Sequence, residues 1–253
     1  MNPTPDLVSC LCVTHNRVPM LTRAIHCFDR QTWPQREMVL LHEDGDTATR
    51  DFLARLAHPL IRSIVVPTLP RLTQGAKRQL TLQAARGRYI ATWDDDDWSA
   101  PDRIAQQIAV MQASGQPASV LERWIIHDQL LGQSWLSYAR TWEASLVCER
   151  AAMPDYDDVQ LAEDTRCLER LLQRQHVVGA RLAHTYVYLY HGNNIGSRAH
   201  FKRHIFKGSL QLPGAFGQRV ARLLAAPQTE PPIGAHELQA AATAAQQGAP
   251  LTP

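Results

Sequence analysis

Four consecutive aspartates, Asp94 to Asp97, directly follow an apolar run that ends at Trp93. Like charges this close together repel and raise each other's pKa unless something compensates them. A divalent cation would do so, and carboxylate oxygens suit Mg²⁺ or Mn²⁺, which proteins typically hold with one or two carboxylates and substrate phosphates. Capping of the next helix would explain one or two of the acids, but not four after a buried strand. The run therefore indicates a magnesium or manganese site.

Three further clusters carry residue types that can do chemistry. Glu163 and Asp164 begin a predicted helix, where acids either complement the helix dipole or provide a general base for a hydroxyl. His191 follows a predicted strand and is either structural or a ligand of a metal or phosphate. Lys77 and Arg78 lie near a predicted helix start, where phosphate binding competes with simple solvent exposure.

Short apolar runs alternate with helical spacing of apolar residues through the first half of the chain. The predicted strands are 7–13, 37–42, 61–66 and 89–93, and the predicted helices cover about 21–28, 48–57 and 74–85 and start again at about 99–102. This alternation predicts a mainly parallel, doubly wound, Rossmann-like α/β sheet. Because ligands bind at the carboxyl ends of such strands, the polar residues after the first, second and fourth strands should meet at one edge. They are the loop from Thr14 to Arg17, then Glu43 and Asp44, then the four aspartates.

The second half of the chain is less regular. Its predicted elements are strands at 120–127, 146–149 and 182–190 and a helix at 162–174. Residues 199–225 are basic and partly amphipathic, and residues 226–253 are rich in Ala, Gln and Pro, which indicates a loose tail. Four aromatic residues could either stack on a sugar or fill the core, namely Trp124, Trp135, Tyr138 and Trp142.

Composition narrows the functional classes. The chain has 253 residues, 45% of them apolar, which suits one large domain with a real core. A net charge of +2 gives no reason to expect nucleic-acid binding. Five scattered cysteines without a CxxC pair indicate reduced thiols. Neither a signal peptide nor a membrane-spanning run is evident, so we expect a cytoplasmic protein, with peripheral contact at the inner face of the membrane left open.

Several of these segments are similar, in the same order, to the family 2 glycosyltransferases of GT-A fold. The resemblance covers roughly residues 7–197 and depends on the order and spacing of short motifs. The motifs are Val8 to Arg17, Gln31-Thr32-Trp33-Pro34, Glu43-Asp44-Gly45-Asp46, Gly75 to Gln79, Ala85 to Ile90 before the DxD motif at Asp94-Asp95-Asp96, Ala162-Glu163-Asp164, and Tyr190 to Asn194. The run of four aspartates leaves the DxD register open by one residue, and Glu43 stands where the family usually has aspartate.

The resemblance implies a metal-dependent, inverting glycosyltransferase of the hexosyltransferase type. It implies a nucleotide diphosphate sugar donor, expected to be a UDP-sugar, and a saccharide, lipid-linked or protein acceptor. Asp164 would be the general base, with Glu163 its neighbour or an acceptor contact. The implied nucleotide and diphosphate contacts are Thr14, Asn16, Arg17, Glu43, Asp44, Lys77, Arg78, Asp94 and Asp95. The implied ligands of Mn²⁺ or Mg²⁺ are Asp96, Asp94 and His191.

The resemblance also implies a division of the chain. One GT-A domain would cover 1–225, with a nucleotide-binding half at about 7–115, a smaller and irregular acceptor and catalytic half at about 116–200, and the tail after it. Two other functions compete with glycosyl transfer. A sugar nucleotidyltransferase would need a glycine-rich loop after the first strand, which the loop from Thr14 to Arg17 lacks. A non-catalytic nucleotide-sugar or cation-binding protein would not need Glu163, Asp164 and His191.

Overall fold

The computed structural model describes residues 5–194 and 198–248, which form two sheets with helices packed around them. In chain order the elements are β1 Val8–Val13, α1 Val18–Asp29, β2 Arg36–Glu43, α2 Thr47–Leu56, β3 Ile61–Val66, α3 Gln74–Ala84, β4 Tyr89–Thr92, β5 Trp98–Ser99, α4 Arg103–Ser114, β6 Ala118–Leu121, β7 Ile125–Asp128, β8 Gln133–Leu136, β9 Trp142–Glu149, α5 Glu163–Gln173, β10 Val177–Ala180, β11 Tyr186–Tyr190, α6 Arg198–Phe201, β12 Leu210–Gln211, α7 Gly214–Ala225 and α8 Ala235–Gln246. A 3₁₀ turn at Ala183–Thr185 and a π-helical turn at Lys202–Phe206 complete them.

The larger sheet has the strand order β10-β6-β9-β4-β1-β2-β3. β1 pairs in parallel with both β2 and β4, and only β9 runs antiparallel to its neighbours. The predicted mainly parallel, doubly wound sheet is therefore confirmed. The chain moves from β1 outward to β2 and β3 and then returns to the other side of β1 as β4. This reversal opens a crevice at the carboxyl ends of β1 and β4, where sheets of this kind bind ligands.

Local sequence explains the helices that flank this crevice. Leu21, Ile25 and Phe28 share one face of α1 and are fully or almost fully buried against the sheet. α2 begins after Asp46, whose carboxylate accepts a hydrogen bond from the Thr49 N–H, as an N-cap residue does.

The smaller sheet, with the order β12-β8-β7-β11-β5, was not predicted. The sequence indicated one strand over 120–127, but the chain leaves the larger sheet at Leu121 and enters the smaller sheet at Ile125. Both halves of this run are buried, so hydrophobicity alone does not show that they pair with different partners.

The composition of residues 226–253 predicted a loose tail. The structure corrects this prediction for residues 226–248, the part of the segment that it describes. Residues 235–246 form α8, and Ile233, Leu238 and Ala242 are buried in the main core. Alanine favours helix, and these few apolar side chains are enough to hold α8 against β12. Residues 249–253 lie outside the described part of the chain.

All five cysteines are buried free thiols, and the pKa of Cys10 is raised to about 12 because burial disfavours the thiolate. No helix within 5–194 or 198–248 combines the length and apolar character needed to cross a bilayer.

Candidate active site

Hydrogen bonds across the crevice join the loop after β1 to the aspartates after β4. The Thr14 hydroxyl donates to Asp95 at 2.7 Å, and the Arg17 guanidinium lies 3.4 Å from Asp95 and 3.1 Å from Asp96. Asp95 is buried, and burial beside Asp96 raises its pKa above the usual range, although Thr14 and Arg17 counteract this rise. The loop after β1 and the loop after β4 therefore meet, as the sequence predicts.

The four aspartates have different surroundings. Asp97 is buried and accepts hydrogen bonds from the Tyr186 hydroxyl and, at 2.9 Å, from the Leu189 N–H. It therefore ties the aspartate run to β11. Asp94 and Asp96 keep partial exposure, with 21% and 15% of their side chains accessible.

Arg78 on α3 connects two of the predicted clusters. Its Nε donates to Glu163 at 2.8 Å, and one terminal nitrogen donates to Asp94 at 2.9 Å. Glu163 and Arg78 are both buried, so each charge depends on the other for compensation. This three-residue ion network fixes the start of α5 against the end of β4.

Asp164 lies beside this network and forms no ion pair with a residue in the described part of the chain. It is half-buried and accepts a hydrogen bond from the Thr165 N–H, 2.8 Å away. Burial raises the pKa of Asp164 to about 6, and the charges of Glu163, Glu143 and Asp94 add to the rise while Arg78 opposes it. A carboxylate with a pKa near the operating pH is the kind of group that acts as a general base.

His191 contacts the aspartate run from β11. Its Nε2 lies 3.1 Å from Asp96 Oδ2, and its Nδ1 accepts a hydrogen bond from the Asn193 N–H at 3.3 Å. Among the described residues, no three His, Cys, Asp or Glu side chains meet as a complete metal-binding group. Asp96 and His191 nevertheless fit a site that substrate phosphates complete, because Mg²⁺ and Mn²⁺ need few protein ligands there. Asp94, the third predicted ligand, pairs with Arg78 at 2.9 Å, as Asp96 pairs with Arg17 at 3.1 Å.

The remaining predicted nucleotide contacts are spread around the crevice. Glu43 is buried and pairs with Lys77 at 2.6 Å, so this lysine does not extend freely toward a phosphate. Asp44 is exposed and accepts two hydrogen bonds from Thr68. The Asn16 side chain is also exposed, and its backbone N–H donates to Asp46.

Phosphate binding near the start of α3 was one of two interpretations of Lys77 and Arg78 from the sequence. In the structure, much of this helix end is already occupied by protein. The Ala76 N–H is capped by the Thr73 hydroxyl, and the Gly75 N–H donates to the Val159 carbonyl. A side chain on Gly75 would collide with the Asp157 carbonyl, since a Cβ there would lie 1.8 Å from it. The segment before α5 therefore covers this helix end, and the N–H groups of Gly75 and Ala76 already have acceptors.

A cleft of about 890 Å³ joins these groups. The predicted residues that line it are Thr14, Arg17, Lys77, Arg78, Asp94, Asp95, Asp96, Glu163 and Asp164. The lining does not include Asn16, Glu43, Asp44 or His191. The lining also includes residues that nothing in the sequence singled out, among them Arg140, just before β9, and Glu143, at the start of β9, neither of which belongs to a recognisable motif.

A sequence profile described as "Glycosyl transferase family 2" matches residues 9–151, more than half of the chain. The chain belongs to glycosyl transferase family 2. This family 2 chain is also similar to the succinoglycan biosynthesis protein ExoO of Rhizobium meliloti (strain 1021), with 30% identity over 125 residues. That match covers 47% of the chain but only 35% of ExoO, so the chain spans well under two thirds of the relative's length.

Solved structures resemble this family 2 chain in fold. One is S. aureus TarS 1–349 in complex with UDP, with a TM-score of 0.57 and 12% identity over 74% of the chain and 61% of TarS 1–349. Another is the mannosyltransferase PcManGT of Pyrobaculum calidifontis in complex with GDP-Man and Mn²⁺, with a TM-score of 0.58 and 14% identity over 78% of the chain and 60% of PcManGT. These likenesses confirm the GT-A fold.

Proposed function

We propose that this protein transfers a sugar from a nucleotide diphosphate donor to an acceptor hydroxyl, with Asp164 as the general base. The observation that carries the proposal is that one cleft holds both Asp164, whose pKa is raised to about 6, and the acidic and basic residues at the ends of β1 and β4. Membership of glycosyl transferase family 2 supports this activity over nucleotidyl transfer or binding without turnover.

The reaction would be a direct displacement that inverts the anomeric centre. The acceptor oxygen forms its bond to the anomeric carbon while the bond to the diphosphate oxygen breaks with its electron pair. Asp164 takes the hydroxyl proton as the new bond forms. Glu163 is a weaker candidate for this step, because Arg78 holds its carboxylate in an ion pair at 2.8 Å. Its proposed role is to fix α5 so that Asp164 faces the acceptor.

A divalent cation fits this mechanism as the partner of the diphosphate. Asp96 and His191 would hold it, and it would supply Lewis-acid neutralisation of the charge that develops on the leaving group. The partial exposure of Asp94 and Asp96, in contrast to buried Asp97, supports a DxD register at Asp94-Asp95-Asp96. Asp94 would then contact the ribose or the cation.

Thr14, Arg17 and Arg78 are the proposed diphosphate and ribose contacts, because they line the cleft beside the aspartates. The proposed donor is a UDP-sugar, and a GDP-sugar is the competing donor, since the structural neighbours include complexes with UDP and with GDP-Man. Glu43, the last residue of β2, and Asp44, directly after it, are the proposed base-recognising acids.

Thermal unfolding with a panel of nucleoside diphosphates, with and without Mn²⁺, tests the proposal. A ligand at about 100 times its Kd stabilises a protein by about 2.7 kcal/mol, which corresponds to a rise in Tm of roughly 5–10 °C for a chain of this size. We expect the rise with uridine diphosphate and only when Mn²⁺ is present. A folded protein that no nucleotide stabilises would contradict the proposed function.

A further inference from the structure

Part of the cleft wall is built on an aromatic stack, from which Trp124, Trp142 and Tyr188 line the cleft. Trp124 stacks on Trp142 with ring centroids 4.4 Å apart, and its other neighbours are Tyr188 at 4.7 Å and Tyr186 at 5.3 Å. Both tryptophans are at most 2% exposed. Their ring faces are therefore occupied by protein, and the stack is a support rather than a platform for a sugar ring.

Arg140 covers this support and faces the cleft. Its guanidinium lies 4.4 Å from the centre of the Trp142 ring and forms an ion pair with Glu143. Both residues line the cleft, and about a third of the Arg140 side chain and a fifth of the Glu143 side chain remain exposed, at 34% and 19%. The stacking and the ion pair hold the planar fork of Arg140 in one orientation beside an acceptor-only carboxylate.

Glu143 also connects this pair to the proposed base. Its Oε1 accepts a hydrogen bond from the Thr165 hydroxyl at 3.0 Å, and the Thr165 N–H donates to Asp164 at 2.8 Å. One residue thus separates the Glu143 carboxylate from the Asp164 carboxylate. A molecule bound at Arg140 and Glu143 would lie next to the group that removes the acceptor proton.

We infer that Arg140 and Glu143 form the binding site for a saccharide acceptor, and that they hold two neighbouring hydroxyls of the sugar while a third hydroxyl faces Asp164. A sugar hydroxyl both donates and accepts hydrogen bonds, so a vicinal diol matches a guanidinium and a carboxylate placed side by side. A serine side chain or a simple alcohol has one hydroxyl and cannot engage both groups and the base. This inference rests on the proposed function and narrows its acceptor to one chemical class.

Binding to an array tests the site without requiring turnover. The protein, saturated with uridine diphosphate and Mn²⁺, is applied to an array that carries mono- and oligosaccharides, serine-containing peptides and polyprenyl phosphates. We expect binding to at least one saccharide and none to the peptides. Arg140→Gln and Glu143→Gln should each weaken saccharide binding about tenfold or more, as expected for the loss of a hydrogen bond to a charged group.

The controls separate recognition from folding. Arg181→Gln removes a guanidinium from another ion pair, 3.3 Å from Glu122 and outside the cleft lining, and should bind saccharide normally. Arg140→Lys keeps the charge but loses the planar fork, so it should also weaken binding. The melting temperature of each variant, with and without nucleotide and Mn²⁺, shows whether the fold and the donor site are intact.

The following results would overturn the inference or the proposed function on which it rests. If the nucleotide-loaded protein binds no saccharide, or binds peptides equally well, the inference is overturned. It is also overturned if saccharide binding survives in both Arg140→Gln and Glu143→Gln. If no nucleotide stabilises the wild-type protein, the proposed function fails first, and the acceptor site fails with it.

Discussion

Asp164→Asn removes the proposed base while leaving the size of the side chain almost unchanged. General base catalysis contributes about 10²–10⁴-fold to rate, so we expect transfer to fall by about that factor. Donor binding should persist, because Asp164 accepts its hydrogen bond from its neighbour Thr165 and forms no ion pair with a basic side chain in the described part of the chain. The assay is the chromatographic measurement of nucleoside diphosphate released in the presence of acceptor, beside the nucleotide-induced rise in Tm.

The pH dependence of the wild-type enzyme gives a second measurement of the same residue. Because the pKa of Asp164 is raised to about 6, its base form is about 97% populated at pH 7.5 and only about 9% populated at pH 5. Activity should therefore fall as pH decreases through 6, by roughly tenfold between pH 7.5 and pH 5. An aspartate with an ordinary pKa would keep its activity to much lower pH.

The control is Asp51→Asn, on α2, where the aspartate is 57% exposed and outside the cleft lining. It should keep both the wild-type rate and the decline below pH 6. The reasoning is refuted if Asp164→Asn transfers sugar at near-normal rates. It is also refuted if the residual activity of Asp164→Asn keeps the same decline with falling pH.

Three further substitutions test the ion network and the aspartate run. Asp96→Ala should abolish the Mn²⁺-dependent rise in Tm with nucleotide, and an unchanged rise would exclude Asp96 as a cation ligand. Asp97→Ala should instead keep that rise but lower the free energy of unfolding by about 2–4 kcal/mol in urea titrations, because the Tyr186 hydroxyl and the Leu189 N–H lose their acceptor. Arg78→Met should lower the free energy of unfolding by about 3–5 kcal/mol, since it leaves buried Glu163 without its partner. Arg78→Met should also move the acid limb of the pH profile to higher pH, because Arg78 lowers the pKa of the base; a limb that stays in place would show that the two groups are not coupled.

The first half of the chain was accessible from the sequence because its signals are local and repetitive. The strands predicted at 61–66 and 89–93 correspond to β3 and β4, and the order of strands and helices was enough to bring Thr14 and the aspartates together. Parallel βαβ units leave few alternative arrangements, since their crossovers have one hand and their carboxyl ends share one edge.

The second half of the chain was not accessible in the same way. The smaller sheet is built from strands of two to five residues, whose pairing depends on partners far along the chain, such as Val187 of β11 with Ile125 of β7. Arg140 and Glu143 have no motif of their own, and they become a candidate site only because an aromatic stack holds them beside Asp164. The covered start of α3 is likewise a tertiary feature, because Val159 caps Gly75 from 84 residues away.

Residue types and their order therefore determined the class of chemistry: carboxylates and basic residues at the ends of alternating strands, and a Glu163-Asp164 pair at a helix start. Only the tertiary structure decided which of these two adjacent acids forms an ion pair. Arg78 forms an ion pair with Glu163 and not with Asp164. The charge of Glu163 is therefore compensated, whereas burial raises the pKa of Asp164. Likewise, four consecutive aspartates are identical in sequence, but burial and partners make Asp97 structural and leave Asp94 and Asp96 at the cleft. Charge compensation and desolvation depend on neighbours in space, and those neighbours come from parts of the chain that sequence spacing does not connect.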